Sequence, residues 1–462
     1  MRPWPRYLLS PEAWRILAQS SASGVDPAFL GLWADTAQVH ALFIADVPLL
    51  ASVSIEAGMF DALSPARPAA APFERMVHDL WGHLPGNAVD PRPLLDQGRW
   101  PVLRPLSERP VPNAAPAEAR EFLGAAGHDL HHVSVGSIGG GMDPVHLRIT
   151  ASGETVIRLE AGLGYAHRGI LALMRGKSLR VAAALAARIA ADCTVAHAVA
   201  FARAVEAATD VEPPPRGHAL RGVMAELERI ANHLADLGSA APGRLAARCV
   251  DLREDVLRAS HAAFGHRLMM DCVAPGGVSV DLAPAGMAAL PAMLDRIAVA
   301  MPALRRSLHG MTGRITGVGA IGSKLIERSN ARHGPGHAPY SRPGAAMPAS
   351  RAGDVNARLQ LRLTEISGSA ALLREWLAGL PSGQVNVAVP AVSGEGLGVA
   401  DGPRGDVWHW LRLDAGSVDT NFVRDPGWLQ WPLIETACCG ARLSDVPLIL
   451  RSFNPSVAGL EL

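Results

Sequence analysis

The sequence predicts an α+β protein: a small N-terminal α+β domain followed by a large, mainly helical domain that includes a β-hairpin region. Three observations carry this. Two apolar runs of strand length, 39–47 (VHALFIADV) and 49–57 (LLASVSIEA), precede a helix near the start. Stretches with three-four apolar spacing, foremost 218–238 (HALRGVMAELERIANHLADLG), dominate the second half. Between them the stretch 128–150 alternates apolar and polar residues around Gly139–Gly141, as a hairpin does, because repeated glycine tolerates positive φ.

Composition bounds the function classes. A chain of 462 residues is long enough for two or three domains and a sizeable core. Lys+Arg and Asp+Glu balance at 43 each, so there is no electrostatic case for nucleic acid. The five cysteines (193, 249, 272, 438, 439) have neither a disulfide framework's spacing nor the CxxC of a zinc site, which fits a reduced, cytosolic chain. The N-terminus lacks the apolar core of a signal peptide, and apolar runs are expected to be interrupted by charge, Gly or Pro before they span a bilayer. A hydrophobic fraction of 49% is high for a lone soluble chain and points to buried subunit contacts, although Ala supplies much of it.

In chain order, Phe73, Met76, Val77, Leu80 and Trp81 share one helical face, and Gly82 stands where that helix would end. An Asp90-Pro91-Arg92 turn follows, then a Pro- and Ala-rich linker. The resulting boundaries are 1–105, 106–127 and 128–462. His128, His131 and His132 give no firm metal-ligand geometry. The stretch 159–197 sets a Gly-rich turn (Gly162, Gly164, Gly169) beside Tyr165, His167 and Arg168, then continues as a long Ala/Leu helix expected to carry Arg188, Cys193 and His197. Buried Arg, His or Cys is costly unless paired, although a satisfied core residue is the commoner fate of a lone His or Cys on an apolar helix. On 218–238, Val223, Leu227, Ile230 and Leu234 form one face, while Glu226, Arg229 and His233 form another, either solvated or facing a site. The Gly pattern at 314–322 lacks the preceding strand of a phosphate loop. A long helix is expected after Gly353-Asp354, a hairpin over 394–411, and a helix bearing Cys438 and Cys439 in the core.

These motifs together resemble the large-subunit family shared by the nickel-iron hydrogenases, including the membrane-bound group 4 enzymes, and the 49 kDa-type subunit of complex I (NADH:quinone oxidoreductase). GYxHRG is Gly164 to Gly169, ELxRIxxH ends at His233, PGGV is Pro275 to Val278, GDxxARxxxRxxEI runs from Gly353 through Arg358, Arg362 and Glu365, and GEG and PRG supply Glu395 and Arg404. Residues 73–101 resemble the end of the 30 kDa-type subunit of complex I, fused here in front. The resemblance implies a partner small iron-sulfur subunit, membrane-arm subunits and a place at the cytoplasmic face of the inner membrane.

It also implies site residues. In the hydrogenase branch four thiolates hold nickel, and the matching positions read Ala190, Cys193, Ser456 and Gly459. One thiolate cannot hold a nickel-iron centre, so no metal and no cofactor of its own is expected, beyond a possible quinone. Arg404 overhangs the metal centre in the hydrogenases, and a fixed guanidinium stabilises developing negative charge. Catalytic candidates are therefore His167, Arg404, Glu226 and His233. Gly139, at the place of a quinone-contacting hairpin tip, joins Tyr165, Arg168 and Cys193 as quinone-cavity or vestigial metal-site candidates. With only Tyr7, Tyr165 and Tyr340 in the chain, a Tyr/His quinone pair would use Tyr165 with His167 or His233. The expected function is electron transfer from the partner's cluster to a quinone-like acceptor; the alternative is a non-catalytic scaffold or energy-coupling subunit.

Overall fold

The computed structural model describes residues 5–20, 27–45, 47–113, 121–136, 144–322 and 353–462. The chain divides into two compact units. The first comprises Met1–Ile149, Glu160–Ala172 and Glu461, and the second Thr150–Leu159, Leu173–Leu460 and Leu462.

The first unit is built on a four-stranded sheet in the order Arg6–Leu9, Pro48–Ser54, Gln38–Ile44, Ala28–Ala34. The two predicted apolar runs are its central strands, paired antiparallel with Ala41 opposite Ala51 and Leu42 opposite Leu50. Val39 to Ile44 are all buried, so this strand is covered on both faces and reads as a continuous run instead of an alternation. The helix Ala71–Trp81 buries Phe73, Met76, Val77, Leu80 and Trp81, and Gly82 closes it in the left-handed region at φ 80°. Its acidic residues anchor loops. Glu74 accepts from the Leu63 and Ser64 N–H groups at 2.6 and 2.8 Å, and Asp79 accepts from Leu94, Leu95 and Asp96 at 2.8, 2.7 and 3.2 Å. In the predicted turn Asp90 holds Arg92 at 2.8 Å and Arg75 at 3.1 Å. The unit extends past the predicted boundary at 105 and takes in the strand Leu130–Val135, on which His128, His131 and His132 are exposed at or beside the strand. That strand neighbours His146–Ser152, which in turn neighbours Thr155–Gly162. The hairpin tip with Gly139 lies outside the described residues, as does Tyr340.

The second unit is mainly helical. Pro215–Ala240 packs on Gly243–Phe264 and on Val355–Ala378, and Gly243–Phe264 packs on Pro284–His309. Val223, Leu227, Ile230 and Leu234 are fully buried, as their spacing predicts. The opposite face is buried too: Glu226, Arg229 and His233 are each 2% exposed, so that charged stripe is not a solvated one. A correction concerns the predicted long Ala/Leu helix, which is broken. Leu179–Ala186 ends, and a new helix, Thr194–Thr209, starts after Cys193, leaving Arg188 and Cys193 in the break. Tertiary partners pre-empt the helix there: Asn232 Nδ2 donates to the Asp192 carbonyl at 2.5 Å, and the Glu228 carboxylate takes the Val195 and Ala196 N–H groups at 2.6 and 3.0 Å. Arg188 turns outward to Asp271 at 2.6 Å.

A second correction concerns apolar length. Pro284–His309 is long and apolar enough to cross a membrane by length and composition, but it contains Pro291 and Pro302 and is paired outward through Arg296–Asp255 at 2.7 Å and Arg374–Asp295 at 2.8 Å. The five cysteines are free; Cys438 is buried in the helix Gly427–Cys438 as expected, whereas Cys439 is exposed just beyond it.

Candidate functional site

The site in the second unit is organised by an antiparallel meander, Gly394–Gly402, Gly405–Asp414 and Ser417–Arg424, with the helix Thr194–Thr209 lying on its first strand. Gly402 pairs with Gly405, so Pro403 and Arg404 form a two-residue hairpin turn, as predicted, with Gly405 at φ 130°. The Arg404 side chain is not a surface group: it is 2% exposed. Its Nη1 donates to Asp192 Oδ2 at 2.7 Å and to Asn232 Oδ1 at 3.3 Å, and its carbonyl accepts from Gln430 Nε2 at 2.9 Å. Nη2 has no hydrogen-bond partner among the described residues. A buried guanidinium with a free N–H is a donor available to whatever enters.

Cys193, 1% exposed, stands at the residue before the Thr194–Thr209 helix, beside this pair, without a side-chain capping bond. Burial pushes its thiol well above the ordinary range against the pull of Arg404, so it is a neutral thiol. Glu228 lies beneath the same helix start. Burial raises its carboxyl to about 8, with Asp192 adding to the rise, although its two backbone N–H bonds work the other way. A carboxyl whose folded pKa exceeds its unfolded value near 4.5 stabilises the fold fully below 4.5, and that contribution is lost as pH climbs through 8. Glu228→Gln removes the titration. Between pH 5 and pH 9, urea denaturation should show the parent losing roughly 3 kcal/mol more than the Gln variant; parallel profiles would mean that Glu228 is charged throughout.

On the other side of the helix start, His197 Nε2 stands 3.2 Å from Asp425 Oδ2, and His197 Nδ1 stands 3.1 Å from His409 Nε2, all three groups being buried. Asp425 Oδ1 also accepts from the Gly427 N–H at 2.7 Å. Burial, with His197 beside it, pushes His409 well below the usual histidine range. The Asp425 carboxylate closes onto Gly459: a Cβ there would lie 2.3 Å from its Oδ2. Ser456 Oγ accepts from the Gly459 N–H at 3.0 Å, capping the short helix Val457–Glu461. Of the four positions 190, 193, 456 and 459, one thus presents a thiol, one a methyl group, one a hydroxyl engaged in a cap, and one no side chain.

The remaining candidates separate into groups. Arg229 binds the Asp401 and Gly402 carbonyls at 2.8 and 3.1 Å and Asp401 Oδ2 at 3.0 Å, with Glu226 3.5 Å away, so these two support the strand that leads into Arg404. His233 belongs to another network. Its Nε2 meets Glu365 Oε2 at 2.5 Å, and the neighbouring Asp236 holds Arg362 at 2.7 Å and Asn454 at 2.5 Å. Burial lowers the His233 pKa against the pull of Glu365. In the first unit, Tyr165 lies under the Arg99 guanidinium at 5.8 Å, His167 stacks on Trp100 with centroids 4.4 Å apart, and Arg168 is exposed. Sequence reasoning did not single out Asp192, Glu228, Asn232, His409 or Asp425. Asp192 and Glu228 each sit one residue from residues that it did name, and Asp425 precedes a Pro-Gly helix start, so the local signals existed but pointed to nothing specific.

Comparison with known proteins gives consistent matches. A nickel-dependent hydrogenase family model matches residues 168–236. The formate hydrogenlyase subunit 5 of Escherichia coli is 28% identical over 436 residues, covering 86% of this chain and 76% of that protein. The carbon monoxide-induced hydrogenase of Rhodospirillum rubrum is 26% identical over 69% of this chain and 95% of its own length, and a subunit of the NADH-quinone oxidoreductase of Koribacter versatilis is 25% identical over 67% and 90%. Among solved structures, a chain of the membrane-bound sulfane sulfur reductase, an archaeal respiratory membrane complex, superposes with a TM-score of 0.66 at 19% identity, covering 72% of this chain and 99% of that one, which is a likeness of fold. Over most of its length the chain is thus similar both to large subunits of nickel-dependent hydrogenases and to a subunit of NADH-quinone oxidoreductase.

Proposed function

We propose that this chain is a subunit of a complex I-like, hydrogenase-related membrane-associated oxidoreductase, in which it passes electrons from the iron-sulfur cluster of a small partner subunit to a quinone-like acceptor without a nickel-iron centre. The observation that carries this is the side chain set at Ala190, Cys193, Ser456 and Gly459, with the Asp425 carboxylate filling the space in front of Gly459. A single neutral thiol, a capped hydroxyl and a carboxylate already shared with His197 and the Gly427 N–H do not fit a soft metal that needs several thiolates. The buried Arg404 with its free Nη2 supports a site that still receives a polar guest. Membrane association with membrane-arm partners is supported by relatives such as the membrane-bound hydrogenase subunit alpha of Pyrococcus furiosus, 26% identical over 356 residues, and we place the chain peripherally on the cytoplasmic face.

The test uses the complex purified anaerobically after growth with nickel. Iron should be accounted for by the partner's clusters, and reduction of a soluble quinone by the reduced complex should fall at least about tenfold on Arg404→Met, because a buried charge aimed at the acceptor is removed. One nickel per chain, or cyanide and carbonyl bands in the infrared, overturns the proposal. Unchanged quinone reduction in an assembled Arg404→Met complex would instead indicate a scaffold.

A further inference from the structure

The turn that carries Tyr165 and His167 is held by five contacts that the redox proposal above does not use. Gly164, at φ 102°, brings its backbone so close to Leu95 that a Cβ would lie 2.1 Å from the Leu95 carbonyl oxygen, and Gln97 Nε2 donates to the Leu163 carbonyl at 3.2 Å. Glu461, which clusters with the same unit and is fully buried, then grips the turn twice. Its Oε2 accepts from the Ala166 N–H at 2.5 Å, and its main-chain carbonyl meets His167 Nδ1 at 2.5 Å. Trp100 lies parallel to the imidazole, 25° between planes, and blocks rotation about χ2.

A carbonyl oxygen only accepts, so the proton must sit on Nδ1, and the neutral ring keeps its lone pair on Nε2. Burial lowers the His167 pKa against the pull of the Glu461 carbonyl, so the neutral ring is the form present at pH 7. Nε2 has no partner among the described residues. Gly169 leaves room in front of it, since a Cβ built there, at a φ of 69°, would stop 3.9 Å away.

We infer that Glu461 is a positioning residue: it fixes His167 as the Nδ1–H tautomer, with Trp100 holding the ring plane, so that Nε2 accepts a hydrogen bond from the hydroxyl of a quinol-type guest at this turn of the first unit. This rests on the quinone proposal above for the identity of the guest, but not for the tautomer.

The test separates the two. In the complex labelled with 15N-histidine, the spectrum of the His167→Asn complex is subtracted to isolate His167. The parent should show protonated Nδ1 and unprotonated Nε2. Glu461→Ala keeps the main-chain carbonyl but removes the carboxylate that holds the Ala166 N–H against it, so the turn slips off that carbonyl and His167 should shift toward the Nε2–H form preferred by imidazole in water. The same variant should move the acid limb of the quinone-reduction pH profile upward toward the ordinary histidine range, and lower turnover roughly ten- to hundredfold with little change in KM. Glu461→Gln keeps an acceptor for the Ala166 N–H and should behave as the parent. An Nε2–H signal in the parent, or an unaltered tautomer in an assembled Glu461→Ala complex, overturns the positioning role. If the tautomer behaves as stated but His167→Asn leaves quinone reduction unchanged, the lock stands and the role of His167 toward the acceptor is wrong.

Discussion

Gly396→Ala is expected to destabilise the second unit by about 3 kcal/mol or more. A Cβ at 396 would stand 1.8 Å from the Ala204 carbonyl oxygen and 2.8 Å from both the Ala204 carbonyl carbon and the Ala208 nitrogen. All three atoms are helix backbone, so no side-chain rotation relieves the clash. The neighbours on the same strand face repeat the pattern, with Gly394 facing the Ala208 oxygen at 2.2 Å and Gly398 the Ala200 oxygen at 2.1 Å. Three glycines at period two thus receive a helix whose contact row is Ala200, Ala204 and Ala208 at period four. Moving that helix outward would also move the Val195 and Ala196 N–H groups off Glu228 and His197 off Asp425. Gly313, at an ordinary φ with open space around it, is the control: Gly313→Ala should be neutral or slightly stabilising. Denaturation curves with Gly396→Ala within about 1 kcal/mol of that control would refute the backbone-contact account of this strand.

The same strand shows what a sequence can and cannot convey. The pattern GEGLG marks a hairpin, and its one charged residue, Glu395, receives the Trp410 Nε1–H at 3.0 Å. The glycines are the informative residues, because each records a backbone approach that no other residue permits. Elements whose information is local were legible: the central strands of the first sheet, the Ala71–Trp81 helix with its Gly82 stop, the long helix at 215–240 and the Pro403-Arg404 turn. The break at 187–193 was not, since Ala187, Arg188, Ala190 and Ala191 favour helix and the reason for the break lies on Glu228 and Asn232, 32 to 40 residues away in sequence. Likewise, Arg404 was identified from its motif, but its pairing with Asp192 depends on a contact across 212 positions. The Asp425 carboxylate in front of Gly459 is invisible to any local pattern.

Arg404 and Asp192 should behave as one unit in a double-mutant cycle. The guanidinium is buried, whereas 43% of the Asp192 side chain surface remains open, so the two single substitutions are unequal. Asp192→Asn keeps an oxygen near Nη1 and leaves Asn232 in place, but it strips the compensating charge from a cation that water cannot reach; partial exposure of the lost partner limits the cost to about 2 kcal/mol. Arg404→Met empties the donor side of the pair and leaves the neutral Cys193 thiol and the Glu228 carboxyl beside uncompensated carboxylates, at a cost of roughly 3 kcal/mol. Because Asp192 without Arg404 can turn to solvent, the double variant should be no less stable than Arg404→Met alone. The coupling would then amount to about 2 kcal/mol or more. Turnover behaves differently. Asp192→Asn retains the guanidinium and its free Nη2, so quinone reduction should fall only a fewfold, while both variants lacking Arg404 should share the tenfold or larger loss. Additive stability effects would mean that the 2.7 Å contact contributes nothing beyond its two separate environments. Equal kinetic losses in Asp192→Asn and Arg404→Met would mean that the carboxylate, not the guanidinium, meets the acceptor.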